Sequence, residues 1–149
     1  MPVVISKTVL VLAGPFAEGL SATRACAALT RGLTADGHLE SDACALEQDL
    51  GARAGSTSKP LEEADFDRRM LAARAIVIAC AHLDDHTLGG SIAFEAATRA
   101  RQSGVPAYAV TGEDSLDRFE ARIVDLQVIL EAGTSRELGA TGRKLATLV

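Results

Sequence analysis

The sequence predicts a doubly wound α/β protein, a three-layer α/β/α sandwich around a five-stranded parallel sheet, and three observations carry that prediction. Short apolar, β-rich runs recur at Thr8–Ala13, Asp42–Leu46, Ala75–Ala79, Ala107–Val110 and Leu126–Leu130. The intervals between them are mostly long enough for a crossover helix, which makes a βα alternation. The third run leads straight into a loop holding two carboxylates, two imidazoles and paired glycines, the place where parallel sheets present their chemistry. Because β–helix–β crossovers are almost always right-handed, the expected strand order at this length is 2-1-3-4-5, in a single Rossmann-like or flavodoxin-like α/β domain covering 1–149.

Each element has a local reason. Thr8–Ala13 is too short an apolar run to span a membrane and reads as the first strand. Ser21 to Ala35 is the first helix, with Cys26, Leu29 and Leu33 on one side, closed by Gly37 as its C-cap. Leu61 to Ala73 is the second, opened by Ser58 and Pro60, with Glu62, Glu63 and Asp65 in its early turns where the dipole favours negative charge. Gly90 to Gln102 is an Ala-rich third helix stopped by Ser103-Gly-Val-Pro106. Ser115 to Arg122 is a short fourth. Thr134-Ser-Arg-Glu137 has the spacing of a capping box and starts a last helix carrying Leu138, Leu145 and Leu148. The polar stretch Glu47 to Lys59 reads as a loop.

Composition narrows the function. The 149 residues are 48% hydrophobic, only 3% aromatic and carry a net charge of −5. A core of Val, Ile, Leu and Ala follows. With no Lys/Arg cluster along the chain, neither nucleic acid nor an anionic membrane is expected as a partner. Cys26, Cys44 and Cys80 are too few and too scattered for a disulfide framework or a zinc knuckle, so a reducing cytoplasm is the expected setting.

Two loops are candidate sites. After the first strand, Gly14 to Ser21 is a glycine-bearing turn feeding a helix N-terminus; Gly14, Gly19 and Ser21 would let a ligand's charged oxygen approach the backbone, or would simply make the turn. After the third, Asp84 and Asp85 are candidate catalytic carboxylates. His82, Thr87, Gly89, Gly90 and Ser91 are candidate anion-binding residues. The plain alternative is a solvated loop in which Asp84 or Thr87 caps the next helix. His82 and His86 lack a third ligand, so no metal site is expected. Cys80 reads as a buried, inert thiol. Carboxylates of Thr111-Gly-Glu-Asp114 and Glu131 would join the same rim.

The residues resemble the type I glycerate kinases, which phosphorylate glycerate with ATP and magnesium. Val9-Leu-Val-Leu-Ala-Gly-Pro-Phe-Ala-Glu-Gly-Leu-Ser-Ala22 resembles the family's opening strand and its A-P-D-S-F-K-G-S-L-S-A segment. Ile78 to Ser91 resembles I-T-G-E-G-x-L-D-x-Q-T-x-x-G-K, with Leu83, Asp84, Thr87 and Gly90 in place. The likeness covers the first forty-odd residues and about the last eighty. Where the family has Asp and Lys in its first loop this chain has Gly14 and Ala17, where it has G-E-G this chain has Cys80-Ala-His82, and Ser91 replaces the final Lys. The family's large inserted domain is absent. Phosphoryl transfer relies on positive charge set against the phosphates. The resemblance therefore implies a catalytically depleted relative, a pseudoenzyme that binds a small anionic metabolite or nucleotide. One alternative is a minimal glycerate kinase using ATP and Mg2+, completed by a second chain. Another is an interaction module, a homo-oligomer assembled through Ala-rich helix surfaces.

Overall fold

The computed structural model describes residues 6–16, 19–84, 88–115 and 126–149. Its strands are β1 (Thr8–Ala13), β2 (Glu40–Ala45), β3 (Ala75–Asp84), β4 (Ala107–Ser115) and β5 (Leu126–Glu131). They form one sheet in the order β2-β1-β3-β4-β5, every neighbouring pair parallel. The helices are α1 (Ala22–Leu33), α2 (Ser58–Glu63), α3 (Phe66–Leu71), α4 (Ile92–Gln102) and α5 (Ser135–Ala146), with a 3-10 turn at Leu88–Gly90. The expected doubly wound architecture and strand order are present.

Alternation along the central strands builds two cores, one on each face. Leu10, Leu12, Ile76, Ile78 and Ala109 pack with Leu61, Phe66, Met70, Ile92 and Ala96 on the α2–α4 side. Val9, Val11, Val77, Ala79 and Val110 pack with Ala25, Leu29, Leu33, Leu138 and Leu145 of α1 and α5. Small residues set the spacing of the second layer. A Cβ added to Gly32 would lie 2.1 Å from the Gly139 carbonyl oxygen, and one on Gly142 would lie 2.5 Å from that of Leu29. The α1 and α5 backbones therefore touch, which only glycine at these positions permits. The Ala faces of α1 and α4 are likewise spent inside the fold: Ala25, Ala28, Ala93, Ala96, Ala97 and Ala100 are all buried.

Caps explain most helix starts. Ser21 accepts from the Arg24 amide ahead of α1, and Thr134 from that of Glu137 ahead of α5. Glu137 returns a bond to the Gly133 amide at 3.1 Å, a variant of the expected capping box one residue further back. Four readings need correction. α1 ends at Leu33 with Thr34 as cap, and Gly37 takes its positive φ of 78° in the turn beyond. The single helix expected over Leu61–Ala73 is broken into α2 and α3, because Asp65 adopts a left-handed φ of 57° between them. Glu62 and Glu63 consequently close α2 instead of opening a long helix. Leu148 lies beyond α5 and is 44% exposed. Finally, Ser115 belongs to β4, and the rest of the expected fourth helix lies outside the described residues.

α3 is tied to the edge of the sheet. Arg69 donates through Nη2 to Asp42 Oδ1 at 2.6 Å and through Nε to Oδ2 at 2.9 Å, and Nη2 also reaches the Ala43 carbonyl at 2.8 Å. That guanidinium holds the Asp42 carboxyl below its ordinary range and occupies an acceptor on the otherwise open β2 edge.

Candidate functional site

The carboxyl edge of the sheet is extended on one side by a parallel ribbon. β3 runs on to Asp84 and β4 to Ser115, five residues past the strand ends expected at Ala79 and Val110. His82 pairs in register with Glu113, Leu83 with Asp114 and Asp84 with Ser115. The ribbon is held close at Gly112, where an added Cβ would lie 2.7 Å from the Ala81 carbonyl oxygen. Thr111, fully buried, donates its hydroxyl to the Glu113 carbonyl at 2.9 Å. His82 and Asp84 are thus strand residues and not loop residues. An imidazole and a carboxylate, His82 and Glu113, stand side by side at the rim. Asp85, His86 and Thr87 lie outside the described residues.

The N-terminus of α4 is closed by protein. Ser91, 0% exposed, accepts the Phe94 amide on its hydroxyl at 3.1 Å and so caps the helix; Thr87, the other expected cap, lies outside the described residues. The Ala93 amide donates to the Leu50 carbonyl at 2.9 Å, and the Ala54 amide to the Gly90 carbonyl at 3.0 Å. Arg53 and Ser91 form an antiparallel bridge. The helix begins at Ile92, two residues after the expected start. Gly89 is exposed and Gly90 partly so, while the Ala93 and Phe94 amides just inside the helix are committed to the chain itself.

The segment that closes it, Gln48 to Ala54, roofs the whole edge between β1 and α4. A Cβ on Gly14 would lie 2.8 Å from the Gln48 carbonyl oxygen, and one on Gly51 would lie 2.0 Å from that of His82. Leu50 is 0% exposed, an apolar peg in a polar stretch. Arg53 lies over Gly90: its Cγ is 3.4 Å from where a Gly90 Cβ would be. This roof is the feature that reading the sequence missed, since Glu47 to Lys59 looks like a plain loop. The one available signal was the isolated Leu50-Gly51 pair.

The first turn is compact. Gly14 donates to the Ala79 carbonyl at 2.9 Å, tying it to β3, and the Phe16 amide donates to Leu20 at 3.0 Å with both side chains in the core. Gly19 takes a φ of 80°, and its carbonyl accepts from Arg24 Nη1 at 3.1 Å. Ser21 is exposed at the start of α1. Gly14 after β1 and His82 in β3 therefore lie under the same roof, against Gln48 and Gly51 respectively.

Cys80 is a fully buried thiol. Burial pushes its thiol up to about 12, and its Sγ contacts the His82 carbonyl at 3.7 Å instead of the imidazole. Among the described residues no group of three or more His, Cys, Asp or Glu could hold a metal, and no described helix is long and apolar enough to cross a membrane. Three donors that a phosphate at this edge could otherwise use are taken by the chain itself. The Ser91 hydroxyl and the Ala93 and Phe94 amides are engaged within the fold.

No protein-family model matches the chain, and no curated protein does. Among solved structures, a putative pilus assembly-related protein from Burkholderia pseudomallei is similar at a TM-score of 0.53 and 17% identity, covering 99% of this chain and 96% of that one. An oxidoreductase from Corynebacterium diphtheriae is similar at 0.50 and 16%, covering 97% of each. At such identities these likenesses show a shared α/β fold and nothing finer.

Proposed function

We propose that this protein is a ligand-binding domain of glycerate-kinase ancestry that holds a small anionic metabolite or nucleotide at the carboxyl edge without transferring a phosphoryl group. The observation that carries this reading is Arg53. In the resembling kinases the third motif ends in Lys, at the position occupied here by Ser91; the Arg53 backbone pairs with that of Ser91, and the Arg53 side-chain stem lies over Gly90. A guanidinium from the roof thus restores positive charge beside the third loop, from a different part of the chain. A guanidinium on a flexible stem suits recognition of a carboxylate or phosphate. The loss of chemistry has its own support, because the helix amides that would stabilise charge developing on a transferring group are already bonded.

Calorimetry with glycerate, ATP and ADP, with and without magnesium, tests the reading. At least one of them should bind, and Arg53→Ala should weaken it by about tenfold, the equivalent of one charged hydrogen bond. In a coupled ATP-consumption assay the wild type and Asp84→Asn should both stay at background. Absence of heat with all three compounds would overturn the binding site. Turnover lost in Asp84→Asn would establish a kinase instead.

A further inference from the structure

The net charge of −5 conceals a segregated surface. α1 and α5 carry Arg24, Arg31, Arg136, Arg143 and Lys144 against one carboxylate, Glu137, which is bonded to the Gly133 amide. The cluster is invisible along the chain because its two halves are about a hundred residues apart; the glycine contact between the helices assembles it. Arg31, Arg136 and Arg143 rim a groove of about 840 Å3 between the two helices, floored by Gly32 and Gly139. All three are exposed, and none of their side chains makes a hydrogen bond or ion pair to another described residue. The contrast with the opposite side of the sheet is sharp: there Arg68, Arg69 and Arg99 are each paired with an Asp or Glu.

We infer that this groove is a second binding site, for a compact phosphate compound bearing several negative charges. Three guanidiniums from two helices, unpaired among the described residues, offer forked donors that match phosphate oxygens. Arg136 and Arg143 stand two turns apart on α5, about 10 Å, a span suited to a small ligand. The groove volume falls in the range of small-molecule sites. A polymer such as RNA, or an acidic protein face, would extend beyond the groove onto a surface where carboxylates outnumber Lys and Arg. A ligand confined to the groove meets only the local cations, since charges beyond about 8 Å are screened at physiological salt. This site shares no residue with the Arg53 edge and stands independently of it.

The test is calorimetric titration with inorganic pyrophosphate of the wild type, Arg31→Gln, the double variant Arg136→Gln/Arg143→Gln, and Arg53→Gln. Saturable binding tighter than about 1 mM is expected in the wild type. It should be about tenfold weaker in Arg31→Gln and about a hundredfold weaker in the double variant, one decade per lost charged contact. Arg53→Gln should leave the groove's binding phase in place, whatever it removes at the other edge. The altered residues are exposed, so circular dichroism and melting curves should be unchanged, which separates loss of binding from loss of fold. Lack of saturable heat, or equal affinity in the double variant, would overturn the site, and loss of binding in Arg53→Gln would move the anion to the other edge. Binding of an RNA oligonucleotide without binding of pyrophosphate would overturn it in favour of a polymer.

Discussion

At the scale of single residues, the arrangement turns on side chains that are missing and on one that is clamped. Gly32 lets α1 meet α5, and a methyl there would sit 2.1 Å from the Gly139 carbonyl oxygen. Because that neighbour is backbone, relief requires moving a helix. Gly32→Ala should therefore cost about 2 kcal/mol by overpacking, read as a fall in the denaturation midpoint. An unchanged midpoint would mean that the helices are less tightly apposed. Asp42 and Arg69 make the opposite kind of contribution. The Arg69 guanidinium lowers the Asp42 pKa, so the stabilisation is present above the unfolded-state value of about 3.9 and is lost as pH falls through the lower folded-state value. Both side chains are partly exposed, 20% for Arg69 and 33% for Asp42, which keeps the pair at about 1 kcal/mol. Asp42→Asn should be less stable than wild type by that amount at pH 7, and the difference should shrink progressively as pH falls below about 3.9. A difference that persisted in acid would assign the effect to packing.

Among the elements, the roof from Gln48 to Ala54 decides what the carboxyl edge can do. Gly51→Ala places a methyl 2.0 Å from the His82 carbonyl oxygen, so the segment must lift or the ribbon must shift. The expected cost is about 1–3 kcal/mol. Hydrogen exchange should speed up at the Ala93 amide, which is bonded to Leu50, and not within α5. Uniform acceleration across the chain would instead mean global destabilisation. The roof also marks where legibility stopped. β1, α1 and α5 were readable because their apolar spacing and their caps at Ser21 and Thr134 are local signals. The extension of β3 and β4 was not: His82 and Glu113 look like loop residues until each strand has the other as partner. Asp65 hid the break between α2 and α3 for the same kind of reason, since nothing in the amphipathic spacing of that stretch demands a left-handed residue there. At the site, the positions Gly14, Gly19, Ser21, His82 and Gly90 were readable as an edge. The occupancy of that edge by Leu50 and Arg53 was not, because it is a tertiary contact made by a segment without secondary-structure signals.

At the scale of the whole molecule, the two cores share a sheet whose central strands are buried on both faces, so neither helical layer has a core of its own. Val9 and Leu10 are adjacent in the chain and fully buried, yet one belongs to the α1–α5 layer and the other to the α2–α4 layer. Removing either layer would expose one face of β1 and β3 to water. The free energy of both clusters should therefore be lost in one step, as is usual for a single domain of this size. Leu29→Ala in the first layer and Ile92→Ala in the second should each cost about 2–5 kcal/mol, because both side chains are fully buried. In urea unfolding followed by far-UV circular dichroism and by Tyr108 fluorescence, each variant should shift both signals together, with an unchanged slope. Tyr108 lies in the α1–α5 cluster, so the optical probe reports one layer and the dichroism reports both. Should Ile92→Ala move the dichroism transition and leave the Tyr108 transition in place, the layers would be independent folding units and the coupling of the two cores through one sheet would be wrong.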